Sequence, residues 1–527
     1  MSPSAGTPGQ LARSTGVLSL ATAASRLLGF IRDLLIASLF GTAAQAQAFV
    51  VAFRLPNLLR DLVAEGAVTS AVVPVLSWYR AKADQGGFWR LSHALLARLS
   101  VLLCALTLVG VVGAPPIVRL IAPGFAADPE KFALTVRLTR ILFPLILLVG
   151  LWAYFMGLLN SLRHFAMPAL GSAILNLAMI ASCLWFVPRV TPGVVALAVG
   201  VLIGGVLQLA VQIPVAMRLG FRVRWRWSHA GSGQVLRLLG PRTLGAAAYQ
   251  ANVFIHTALA SLASVVGEGA VAALYFANRL VQLPLALFGV ASAQASLPML
   301  AEHAAQDEMD AFGSTTLSVI RMVAFVILPA SAGLIALSLP ITAGLFERGA
   351  FDRHSTVMTT QALSAYSLGL LAYASSKVLS GAFYALRDTW TPVTLAIEAV
   401  VVNVVLSLAL MWPFQIIGLA LAASIASWLN AYRLIRGLER RLERPLMAPL
   451  VRPLSRMATA SALMGVGCWA AWTHGLSAIP SWGALAVALL LGLTLYAVLC
   501  QLLDVQELLT AWRWLRSQPW MPSFVSD

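Results

Sequence analysis

Fourteen stretches of this chain are long enough and apolar enough to be membrane helices, and that constrains its fold more than any other feature. A span needs about 20 mostly apolar residues to cross a hydrocarbon core of roughly 30 Å. Such runs lie near 18–40, 46–79, 91–113, 133–160, 168–188, 193–217, 240–265, 270–300, 313–338, 358–385, 391–412, 416–436, 454–475 and 482–503. In lipid the backbone must satisfy its own hydrogen bonds, so spans of this length are helices. Only 11% of residues are charged, against about 25% in soluble domains. The expectation is an all-α polytopic membrane protein of about 14 transmembrane helices. Prolines inside the second and eighth spans (Pro56, Pro74; Pro284, Pro298) predict kinks there.

The net charge of +16 would suggest nucleic acid in a soluble chain. Here its distribution gives a topological reason, and no nucleic-acid partner is expected. With the N-terminus cytoplasmic, Arg80, Lys82, Arg218, Arg222, Arg224, Arg226, Arg433, Arg440 and Arg441 all fall in inside segments. The outside segments hold only Arg119, Lys131, Arg189, Arg348 and Arg353. Basic residues collect in cytoplasmic loops, so both termini are expected inside. The cysteines Cys104, Cys183, Cys468 and Cys500 are scattered through apolar runs without metal-ligand spacing, and read as small core residues.

The sequence repeats itself. GLLNSLRHFAMP (157–168) and GAFYALRDTWTP (381–392) keep Gly, Leu, Arg and Pro in register 224 residues apart, and AVVPVL (71–76) matches ASLPML (295–300) at the same offset. This maps helices 1–6 onto helices 7–12. Six is an even number, so the two six-helix lobes form a parallel pseudo-repeat, and a binding site is expected between them near the midplane. The expected organisation is a disordered tail (1–17), an N-lobe (18–217), a basic linker (218–239), a C-lobe (240–436), a second basic linker (437–453), two added helices (454–503) and a cytoplasmic tail (504–527).

The first two spans carry Arg26, Arg32, Asp33, Arg54, Arg60, Asp61 and Glu65. An ionised side chain at mid-membrane costs roughly 2.5–3.5 kcal/mol on insertion scales, so these groups must face one another or water. Internal pairing alone would make them structural. Four arginines against three carboxylates leave an excess of positive charge, however, and the second lobe adds Arg279 in LYFANRLVQLP. Arginine suits multidentate recognition of phosphate. Arg26, Arg32, Arg60 and Arg279, with Arg54, are therefore candidate ligands for an anionic substrate, a pyrophosphate fitting well; Asp33, Asp61 and Glu65 are cavity or gating carboxylates. Asp388, Glu398, His256 and Lys377 are weaker candidates for ion coupling, since each also fits a paired or snorkelling role. WRW (225–227) among arginines reads as an interfacial anchor. No GxxxxGK loop, HExxH or metal-spaced Cys/His set occurs, so neither ATP hydrolysis nor a metal site is expected.

These residues carry a resemblance. SRLLGFIRD (25–33), then FG, then AFVVAFRLPNLLRDLVAEGAVTSAVVPVL (48–76) resemble the MurJ (MviN) family, lipid II flippases within the multidrug/oligosaccharidyl-lipid/polysaccharide (MOP) exporter superfamily. APGFA (122–126), GGVLQL (204–209), YFANRL (275–280), AYSLGL (365–370) and FYALRDTWTP (383–392) extend the similarity over residues 17 to 440. It implies a transporter, not an enzyme, in the bacterial inner membrane. It implies that undecaprenyl-pyrophosphate-linked peptidoglycan precursor (lipid II) moves from inner to outer leaflet by alternating access, for cell wall synthesis. It implies that Arg26, Arg32, Asp33, Arg60, Glu65 and Arg279 line a cationic cavity, and that helices 13 and 14 take the lipid tail. No cofactor is implied; membrane potential or a monovalent cation is the expected drive, and peptidoglycan synthesis proteins are candidate partners. Two positions depart from the family pattern: Gln47 and Asn278 stand where acids are frequent. A flippase for another undecaprenyl-linked oligosaccharide, of O-antigen type, fits the arginines equally well. An intramembrane lipid-pyrophosphate enzyme is the weaker rival.

Overall fold

The computed structural model describes residues 8–62, 68–82, 84–164, 166–227, 250–475 and 481–509, and among them it is all helical. In the first half the helices are α1 (Pro8–Phe40), α2 (Ala44–Leu62), α3 (Val68–Ala81), α4 (Gln85–Val112), α5 (Ala114–Ile121), α6 (Pro129–Leu142), α7 (Leu145–Ser161), α8 (Ala166–Ala181), α9 (Gly193–Arg218) and α10 (250–260). The second half has α11 (Ala263–Val266), α12 (Ala270–Pro284), α13 (Ala291–Ala305), α14 (Met309–Ala336), α15 (Ser338–Phe346), α16 (Arg353–Ser367), α17 (Leu370–Ala385), α18 (Trp390–Leu442), α19 (Met447–His474) and α20 (Ser481–Leu502). α1 already begins at Pro8, inside the stretch read as a disordered tail. The stretch read as a second linker is the last turns of α18, a left-handed Glu443 and the start of α19. Glu439 caps α19, its carboxylate accepting from the Leu446 and Met447 N–H groups at 2.8 and 2.7 Å.

Eight continuous helical stretches among the described residues are long and apolar enough to cross a membrane. Fourteen spans were expected, and local breaks account for part of the difference. The tenth span divides into α16 and α17 around Gly369, while of the second span α2 and α3 lie in the described residues. Conversely, the eleventh and twelfth spans appear as the single 53-residue α18, which is interrupted at Gln415 (φ 52°) just after Pro413. There the chain turns back so tightly that a Cβ on Gly418 would stand 2.1 Å from the Leu410 carbonyl oxygen, leaving room only for glycine. An ion pair closes the two arms: Glu398 meets Arg433 at 2.8 Å. Pro284 opens a π-helical turn over Leu285–Val290, the kink expected from the missing N–H.

The 224-residue offset recurs in the helix boundaries. Adding it to α4, α5, α6 and α7 lands within one residue of α14, α15, α16 and α17 at nearly every end. Even the loop chemistry repeats: Arg163 and Arg387, equivalent by the offset, both close a helix in the left-handed region, at φ 62° and 59°. Two copies of one helical pattern therefore build the chain, followed by α19 and α20.

The helices form two compact units. The first takes residues to Ser264 together with Arg348–Phe351; the second takes Val265–Glu347 and everything from Asp352. In the first, α1 lies along α8, α8 along α9, α2 along α6, and α7 along α3, α4 and α9. In the second, α14 packs on α19, α17 on α13 and α18, and α12 on α16. Lipid is as apolar as leucine, so close packing rather than water release holds such helices together. The 348–351 segment docks on the end of α1, the Ala350 N–H donating to the Ser38 carbonyl at 2.8 Å. Gly41 ends α1 there at φ 55°, and a Cβ on it would stand 2.2 Å from the Ala350 carbonyl. Gly41→Ala is therefore expected to lower the melting temperature in detergent, with the left-handed backbone alone costing roughly 1–2 kcal/mol; an unchanged melting curve would contradict this packing.

Candidate functional site

α1 brings two candidate groups to very different places. Arg26 is exposed. Arg32, six residues on, is turned inward and is 6% exposed, with Asp33 2% exposed beside it. The Arg32 guanidinium donates from Nη2 and Nε to Asp33 Oδ1 at 2.7 and 3.0 Å, and from Nη1 to Asn176 Oδ1 of α8 at 2.9 Å. Asn176 in turn donates through Nδ2 to the Ser25 carbonyl at 3.0 Å, so its amide links groups from residues two turns apart on α1. This approach needs a small residue between them: the Cβ position of Gly29 lies 3.4 Å from Asn176 Nδ2. Arg32 and Asp33 thus hold α1 to α8 inside the first unit. For this pair the internal-pairing reading of the charged cluster describes the geometry.

α2 carries Arg54, half-buried, whose guanidinium donates to the Val253 carbonyl of α10 at 3.1 Å. α10 belongs by its packing to the first unit, so Arg54 ties α2 to the chain leaving the basic 218–249 region. The backbone of Arg60 and Asp61 is helical in α2, their side chains lie outside the described residues, and Glu65 lies outside them altogether. Gln47, in place of a frequent acid, is buried and donates to the Thr42 carbonyl at 3.1 Å, closing the turn between α1 and α2.

In the second unit Arg279 is half-buried on α12, over the ring of Tyr275 with its guanidinium carbon 4.8 Å from the centroid. It donates to the Tyr275 hydroxyl at 3.0 Å and to Gln282 Oε1 at 3.3 Å, which fixes its fork on one face of the helix. Asn278 beside it is exposed. These three contacts are with neutral groups, and an aromatic face attracts a cation without neutralising it.

The weaker candidates have local duties. Asp388 begins α18: it accepts from the Trp390 and Thr391 N–H groups and the Thr391 hydroxyl at 2.8–3.1 Å, and pairs with Arg441 at 2.7 Å. Burial alone would raise its carboxyl, but those hydrogen bonds and Arg441 outweigh it and hold the group below the usual carboxylate range. Glu398 is the partner of Arg433. Lys377 is exposed on α17, and His256 is half-buried on α10. Among the described residues no cluster of three or more His, Cys, Asp or Glu groups could hold a metal. Two charged residues that sequence reasoning passed over, Arg137 and Arg140, stand exposed on α6, within the Pro129–Ser161 stretch that is apolar enough to span. Their signal was available, as charge inside an apolar run, but the run's hydropathy hid them.

Set against known proteins, residues 36–485 match the family model described as lipid II flippase MurJ. A probable lipid II flippase MurJ from Vibrio cholerae is 35% identical over 465 residues, covering 86% of this chain and 88% of its own length. The lipid II flippase MurJ of Burkholderia cenocepacia is 34% identical over 425 residues, 80% of this chain and 82% of that one. Among solved structures, a lipid II flippase MurJ in an inward closed conformation superposes with a TM-score of 0.78 at 25% identity, covering 92% of this chain and 98% of that one. An inward-facing MATE family transporter of the MOP superfamily shares the fold, with a TM-score of 0.70 at 16% identity. With more than four fifths of its length matched, the chain belongs to the lipid II flippase MurJ family.

Proposed function

We propose that this chain is a transporter that carries the undecaprenyl-pyrophosphate-linked peptidoglycan precursor from the inner to the outer leaflet of the bacterial inner membrane. The observation that carries this reading is family membership over nearly the whole chain, with relatives of similar length named as lipid II flippases. The geometry is consistent with it. Arg26, exposed on α1, and Arg279, half-buried on α12, are the donors assigned to the anionic head group. Arg32, on α1, is held in its buried pair with Asp33 rather than as a free fork. Arg60 remains a candidate donor and Arg54 a supporting one.

With both termini cytoplasmic, the substrate head is taken up from inside and released outside while its prenyl tail stays in lipid. Moving one elementary charge through the membrane potential is worth about 2.3 kcal/mol per 100 mV. A negative interior therefore favours outward movement of an anionic head and inward reset of an empty cationic site. Proteoliposomes with the purified chain and labelled lipid II test this. Unaltered substrate should become accessible on the far leaflet, several-fold faster with an interior-negative potential. Chemically altered lipid would mean an enzyme, and a rate indifferent to potential and to sodium and proton gradients would remove the proposed drive. The O-antigen-type alternative predicts transport of lipid-linked oligosaccharides lacking the peptide at equal rate.

A further inference from the structure

Arg137 and Arg140 occupy consecutive turns of α6, and both line a groove of about 430 Å³. Its floor is apolar, from Pro115 at the start of α5 and from Phe132, Val136 and Ile141 of α6. Arg119 of α5 sits over the Phe132 ring, 5.5 Å from its centroid, and adds to the positive field. Counting 1.5 Å per residue from Pro129, Arg137 lies about 12 Å and Arg140 about 16 Å along the helix. That places both within a stretch apolar enough to span, where an exposed charge without a counter-charge is costly. Neither has an ion-pair partner among the described residues. The two acids of this segment do not serve: Asp128 caps α6, accepting from the Glu130 and Lys131 N–H groups at 3.1 Å, and Glu130 is exposed on the first turn.

The internal repeat shows that the fold does not require these charges. Adding 224 to Arg137 and Arg140 gives Gln361 and Ser364 on α16, the structural counterpart of α6. The same helix position is neutral in the second unit, so the arginines are an addition to the first. Side chains three apart on a helix are neighbours, with Cβ atoms roughly 5–6 Å apart. Two planar forks at that spacing match two linked phosphates better than one, and each can donate two hydrogen bonds to phosphate oxygens.

We propose that Arg137 and Arg140, over the apolar floor of Phe132 and Pro115, form a second seat for the pyrophosphate of a prenyl-linked lipid. The seat rests on the transport reading above, which makes such a lipid the substrate. Under the orientation proposed there, α6 enters the membrane from outside, so the seat holds the head group on the release side. The prenyl chain next to the pyrophosphate lies along the apolar floor.

The test places a photoreactive benzoylphenylalanine at Ile141 of the full-length purified protein and offers undecaprenyl pyrophosphate, undecaprenol or phosphatidylglycerol. Only the pyrophosphate lipid should be captured efficiently. Arg137→Gln with Arg140→Gln should lower that yield at least fivefold, and Arg137→Lys with Arg140→Lys should retain most of it. Because both side chains are exposed, the double variant should keep the wild-type melting curve, which is measured alongside. Capture unchanged by the Gln variant, or equal capture of phosphatidylglycerol, overturns the seat. The transport reading fails separately: wild-type proteoliposomes that do not move lipid II would sink it while leaving a charge-dependent capture at Ile141 intact.

Discussion

Asp33→Ala is expected to destabilise the protein by about 3–5 kcal/mol, the cost of removing one partner of a buried ion pair. Arg32 would then keep the Asn176 amide at 2.9 Å and lose the Asp33 carboxylate at 2.7 Å. In a detergent melting experiment this should appear as a large drop in the midpoint, and in cells as reduced abundance. Arg32→Ala should act similarly by removing the guanidinium from which Asp33 accepts at 2.7 Å. The informative variant removes both charges: Arg32→Met with Asp33→Leu should recover most of the stability, because replacing a buried pair by apolar groups of similar volume is often close to neutral. Transport by that double variant then separates two roles. Recovered stability with transport lost would show that the buried charge itself serves the substrate. Recovery of both would make the pair a strut between α1 and α8. No recovery of stability would contradict the packing described for α1.

How far the sequence alone reached follows from what kind of physics each feature rests on. Membrane helices were legible because hydropathy acts over twenty residues at a time, and the repeat because two stretches shared one offset that the ends of α4–α7 and α14–α17 then matched. The break at Gln415 was anticipated only as a boundary between spans; its tight reversal depends on Pro413 and Gly418 acting together in space. The site was half legible. That charges in α1 and α2 must avoid lipid followed from solvation, but which arginine faces inward did not. Arg26 and Arg32 differ by 600° of helix rotation, and only the place of Asn176 on α8, 144 residues from Arg32, turns one of them into a structural group. Asp388 shows the same limit: a candidate for ion coupling in sequence, it has capping geometry through its hydrogen bonds to Trp390 and Thr391. Arg137 and Arg140 were missed because a span of high mean hydropathy absorbs two charges without losing its signature.

Arg26→Ala and Arg279→Ala are expected to slow transport tenfold or more without unfolding the protein, the opposite profile to Asp33→Ala. Arg26 is exposed, so its removal takes away no packing. Arg279 gives up two neutral hydrogen bonds and an aromatic contact, which predicts a modest stability change. A hydrogen bond from a charged donor to an anionic ligand contributes roughly 1.5–3 kcal/mol, so each truncation should slow lipid II translocation tenfold or more. Lysine separates charge from shape. At Arg26 it should restore part of the rate, since a point charge still attracts phosphate. At Arg279 it should restore less, because the fork is held between Tyr275 and Gln282 in an orientation an ammonium does not reproduce. Tyr275→Phe should then weaken transport mildly, by removing the hydroxyl that aims the guanidinium while keeping the ring beneath it. The measurements are proteoliposome translocation and rescue of growth on depletion of the native flippase. Growth supported by both alanine variants at wild-type levels would show that these arginines do not hold the pyrophosphate.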